Sequence, residues 1–84
     1  MGKLAFYRKK INVIDRKIVK LLLLRFNLIK QIANYKKKNK IKITDKKREF
    51  HVMKNIKKYS KSNQFIINIF KNIINFSKKL QLKK

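Results

Sequence analysis

The sequence predicts an all-α protein of three helices, one long, one short and one medium. Three observations carry that reading. The 84 residues include no proline and a single glycine, Gly2, so no strong helix breaker lies inside the chain. Apolar residues recur at alternating steps of three and four, the spacing of one helix face. Polar stretches interrupt that rhythm at two places, 37–44 and 58–63.

The first helix is expected from about Leu4 to about Lys38, roughly 50 Å at the α-helical rise. Its stripe runs Leu4, Tyr7, Ile11, Ile14, Ile18 and Leu21, then Leu28, Ile32 and Tyr35. The seam position between Leu21 and Leu28 is Arg25. So long a rod cannot fold back on itself, and its seam must meet other helices or a second copy. "KKNKIKIT" (37–44) ends it. Thr44 or Asp45 is then expected to cap a second helix with apolar positions at Phe50, Met53 and Ile56. After "KYSKSN" (58–63), Ser62 or Asn63 caps a third helix carrying Ile66, Phe70, Ile73 and Ile74 on one side.

Composition narrows the function. One domain, 1–84, is all the length allows, and its core is small enough to need a supplement. Cysteine is absent, which excludes disulfides and thiolate metal sites. With one histidine (His51) and three acids (Asp15, Asp45, Glu49), no metal cage is expected. Oligomerisation is the supplement that remains. A net charge of +23 points by itself to nucleic acid or an anionic membrane. The lysines are spread over the whole chain rather than gathered in one block, so most are read as solvated surface. Lys20, Arg25 and Lys71 interrupt the apolar runs before they span a bilayer, and no signal-peptide pattern is present. A cytoplasmic protein without membrane contact is expected.

The polar residues placed on apolar faces carry the chemistry. No carboxylate lies three or four residues from Arg25, so a buried guanidinium there points to an anion supplied by a ligand. Lys36 follows eleven residues later, close to three turns on and roughly 16 Å along the same face. Spacing alone leaves open whether it joins Arg25 or is solvated with the lysines of 36–38. In "TDKKREF", Asp45, Arg48 and Glu49 share one face of the second helix's first turn. Capping and the helix dipole account for Asp45 and partly for Glu49, but not for Arg48. Ser77 and Gln81, four apart, continue the third helix's stripe, with C-terminal fraying the plainer reading of Gln81. The inventory lacks a nucleophile paired to a base. It suits holding a small dianion and stabilising charge that shifts within it.

These residues resemble those of the all-helical (AroQ-class) chorismate mutases, small intertwined dimers of aromatic amino acid biosynthesis. The resemblance runs from "YRKKINVIDRKIVKLLLLRFNLIKQIANYK" through "DKKREF" to "NIINFSKKLQ", with a turn before the third helix that looks shorter than in enteric members. It implies an intertwined homodimer that converts chorismate to prephenate with no cofactor. By the same resemblance, Arg25 binds a substrate carboxylate and Arg8 binds one in the partner's site. Lys36 contacts the ether oxygen and a carboxylate, and Gln81 donates to the ether oxygen. Arg48 positions the substrate, Asp45 and Glu49 hold its ring hydroxyl, and Ser77 meets a carboxylate. Helix geometry agrees on one point: Arg8 and Arg25 are roughly 25 Å apart along one helix and meet around one small molecule only if two copies lie antiparallel. The main alternative is a basic helical nucleic-acid-binding protein. It predicts steeply salt-dependent DNA binding and leaves Glu49 beside Arg48 without a purpose.

Overall fold

The computed structural model describes residues 2–82 and contains α1 (Gly2–Lys38), α2 (Lys46–Tyr59) and α3 (Gln64–Leu82). The caps expected from sequence resolve to one residue each. Asp45 Oδ1 accepts the Arg48 N–H at 3.0 Å and opens α2. Asn63 Oδ1 accepts from the N–H groups of Phe65 and Ile66 at 3.0 and 3.2 Å and opens α3. Both use a short polar side chain to satisfy amides that have no partner inside the helix.

Helices α1 and α2 end alike. Lys40 takes a left-handed φ of 53°, and Ile41 N–H returns to Lys36 O at 2.8 Å. At the end of α2, Lys61 takes φ 53°, and Ser62 N–H returns to Lys57 O at 2.8 Å. This closure normally recruits glycine, which lacks the Cβ that disfavours left-handed backbone. Here lysine occupies both positions.

Helix α3 packs against both α1 and α2. It presents Ile67, Phe70, Ile73, Ile74, Ser77 and Gln81 inward. The expected stripe is therefore corrected at its first member: Ile67 is buried, whereas Ile66 is 38% exposed. On α2 the inward residues are Glu49, Val52, Met53 and Ile56, and Phe50 is 66% exposed. Phe50 sits about 100° around the helix from Glu49, which turns it away from α3. From α1, Leu22, Arg25, Phe26, Ile29, Ala33 and Lys36 face the other helices.

The apolar stripe Leu4 to Tyr35 remains exposed along its length, and Arg25 and Ile32 are the stripe positions that also reach the inner face. Lengths explain this. The 19 residues of α3 extend about 28 Å beside about 55 Å of α1, so half of α1 has nothing to pack on within its own chain. The chain measures 57 × 25 × 15 Å and exposes 7774 Å². A compact monomer of 10.2 kDa exposes about 5,300 Å². No helix among the described residues is long and apolar enough to cross a membrane.

Candidate active site

The C-terminal half of α1, the start of α2 and the C-terminal half of α3 enclose a cavity of about 130 Å³. Ile29 and Ile32 of α1, Val52 of α2 and Ile74 of α3 supply its apolar wall. Charged and amide groups supply the rest.

Arg25 Nη1 donates to Ser77 Oγ at 2.5 Å, and Ser77 Oγ donates in turn to Ile73 O at 2.8 Å. The serine is 4% exposed and therefore fixes the guanidinium from below. Arg25 has no carboxylate partner among the described residues. Its pKa is lowered from the ordinary arginine value, first by burial and then by the nearby Arg48 guanidinium. A cation desolvated beside another cation is a site that an anion relieves.

Lys36 Nζ donates to Ile43 O at 2.9 Å and to Gln81 Oε1 at 3.3 Å. Spacing left Lys36 undecided; the structure turns it inward. The backbone closure at Lys40 makes this possible, because it folds Ile43 back over the end of α1. Gln81 is 7% exposed, not frayed. Its amide oxygen is occupied by Lys36, so its Nε2, with one long contact to Ser77 O at 3.5 Å, remains as donor.

Asp45, Arg48 and Glu49 line the α2 side. Glu49 Oε1 pairs with Lys78 Nζ at 2.8 Å, and Glu49 Oε2 is covered without a hydrogen-bond partner. The cavity thus gathers Arg25, Lys36, Asp45, Arg48, Glu49, Ser77 and Gln81. Arg8 is not among them and lies beside Leu4 and Asn12 toward the opposite end of α1. The sequence reading missed Lys78, which nothing distinguishes among 26 lysines and arginines. It also missed the Ile43 carbonyl, since a backbone acceptor leaves no trace in residue type. Among the described residues, no group of three or more His, Cys, Asp or Glu is placed to hold a metal ion.

The family model for chorismate mutase type II matches residues 7–82, a span that takes in the whole cavity. The chain belongs to that family. It is similar to the chorismate mutase of Methanocaldococcus jannaschii, with 40% identity over 83 residues, 94% of this chain and 84% of that protein. It is also similar to the bifunctional chorismate mutase/prephenate dehydratase of Buchnera aphidicola, with 39% identity over 86 aligned positions and 98% of this chain. The chain spans about a fifth of that protein's length, 22%. No solved structure gives a significant match. The three-helix, strand-free architecture of the described residues fits a type II chorismate mutase, and the nucleic-acid-binding alternative finds no support in these comparisons.

Proposed function

We propose that this chain is a cytoplasmic chorismate mutase domain that converts chorismate to prephenate, and that it works as a homodimer. The observation that carries the reading is the cavity itself, where Arg25, Lys36 and Arg48 line one space with the neutral Ser77 and Gln81 and no nucleophile is paired to a base. The rearrangement is unimolecular. One C–O bond breaks as one C–C bond forms, so no proton, nucleophile or cofactor takes part. The protein has to hold the enolpyruvyl chain over the ring and stabilise negative charge growing on the ether oxygen.

The hydrogen bonds divide these tasks. An ammonium has three N–H donors, and Lys36 spends two on Ile43 O and Gln81 Oε1. The third is left for the ether oxygen, with its direction fixed by the other two. Gln81 adds its Nε2–H from α3. Such preoriented donors are worth about 3–4 kcal/mol each in the transition state, because nothing reorganises as charge develops. Arg25 keeps the rest of its fork for a carboxylate, and Ser77 serves the same carboxylate by turning its hydroxyl away from Ile73 O. Arg48 positions the substrate from α2, where Asp45 and Glu49 accept from the ring hydroxyl.

The second carboxylate needs Arg8 of a second copy. Two α1 helices lying antiparallel along their stripes bring each Arg8 to the other's cavity and cover the seam. The exposed surface exceeds that of a compact monomer by about 2,500 Å² per chain, the scale of an obligate interface.

The test is chorismate loss by ultraviolet absorbance at moderate salt, wild type beside Arg25→Ala. We expect rapid loss in the wild type and a fall of at least about 10³-fold in kcat/KM in the variant. Because the Gln81 amide donates at any ordinary pH, the wild-type rate should stay roughly flat from neutral to mildly alkaline pH. A folded, dimeric wild type that leaves chorismate unchanged would reject the proposal.

A further inference from the structure

Lys78 is the one cation of the cavity to which the reaction gives no part. It stands on α3 directly after Ser77 and three residues before Gln81. Its pair with Glu49 is the one ion pair among the described residues, in a chain with three acids and 26 lysines and arginines. Both side chains are about a third exposed, so the pair is partly shielded from solvent. Glu49 Oε2 is covered and has no partner, which leaves Lys78 as the only group holding this carboxylate.

A carboxylate is an awkward guest in a cavity built for a dianion. Left unheld, Glu49 has Arg48 and Arg25 lining the same cavity. Turning to either guanidinium would occupy donors that the substrate needs. Its charge would also repel the incoming anion. With Lys78 counted, this chain gives the cavity Arg25, Lys36, Arg48 and Lys78 against Asp45 and Glu49, a net +2; without it, only the cations that bind substrate offset the Glu49 charge.

We infer that Lys78 is a positioning residue: its ammonium fixes Glu49 at the α2–α3 junction, offsets its charge and keeps it off the arginines that bind the substrate. The inference rests on the proposed mutase function. It assigns the Lys78 ammonium to Glu49 rather than to the substrate, so its loss acts on binding more than on the bond that breaks.

The experiment is steady-state chorismate kinetics on the wild type, Lys78→Met, Lys78→Arg, Glu49→Gln and the Glu49→Gln/Lys78→Met double variant, with helicity checked by circular dichroism. Lys78→Met should raise KM about tenfold, the scale for breaking a partly shielded pair, and leave kcat within about threefold. Lys78→Arg should restore KM to within about twofold of the wild type. Glu49→Gln lowers activity in its own right, but in that background Lys78→Met should add no further rise in KM, because the charge to be held is gone. An unchanged KM in Lys78→Met, or an equal rise with and without Glu49, would overturn the inference while the mutase reading stands. A wild type that neither binds nor turns over chorismate would overturn both.

Discussion

The two halves of α1 are written in one sequence pattern and meet opposite fates. From Leu22 to Lys36, one face lies against α3 and the cavity; from Gly2 to Leu21, every described side chain is exposed. Hydrophobicity does not separate them, since Ile11, Ile14 and Ile18 are as apolar as Ile29 and Ala33. Reach does: α3 is half as long as α1, and its Ser77 and Gln81 meet Arg25 and Lys36 of the covered half. A stripe tells which face seeks cover. It does not tell which partner supplies the cover.

The sharpest way to break this comparison is to charge the bare half. Ile14 is 53% exposed in the single chain, and there a lysine would cost less than about 0.5 kcal/mol. In an antiparallel dimer Ile14→Lys buries an unpaired cation twice in one interface, costing several kcal/mol. A core this small has no such reserve. We therefore expect loss of dimer by sedimentation, loss of helicity by circular dichroism and loss of mutase activity. A folded, active Ile14→Lys monomer would show that the bare half needs no cover.

Mixing variants sharpens the comparison, because it asks whether the halves of different chains share a site. Arg8→Ala disables the bare half's contribution and Arg25→Ala the covered half's, so each homodimer should be inactive. In a heterodimer of the two, one site keeps both arginines and the other loses both. Random reassortment makes half the dimers mixed, and about a quarter of the wild-type activity should return. No recovery after confirmed subunit exchange would place Arg8 outside the site.

What could be read from the sequence follows the same division. The ends of the helices were legible because Asp45 and Asn63 interrupt clear periodicity with capping chemistry. Arg25 was legible because a guanidinium in an apolar stripe has to be explained. Lys36 was not decidable, since a lysine run looks solvated until Ile43 O and Gln81 are seen around one ammonium. The register of α3 was read one residue early at Ile66 because "FIINIF" is apolar on nearly every side. Periodicity cannot choose a face there, and packing against α1 and α2 makes the choice. Lys78 was invisible, because its meaning lies in a partner 29 positions away rather than in its own type.

The smallest expected effect tests why the covered half stays ordered at its end. The turn at Lys40 carries Ile43 back over α1 and so gives Lys36 its backbone acceptor, while holding a left-handed φ of 53° that a Cβ disfavours. Lys40→Gly relieves that strain but gives the unfolded chain more freedom to lose, and the two effects oppose each other. The left-handed penalty of about 1–2 kcal/mol is the larger, so a net gain of about 0.5–1 kcal/mol is expected. Losing one positive charge from a chain of net +23 acts in the same direction. Urea unfolding at fixed protein concentration would measure the gain, and KM should not move, because the Ile41 N–H to Lys36 O bond is made by backbone alone. A raised KM would mean that the lysine side chain, and not only the turn it occupies, helps set Lys36 in the cavity.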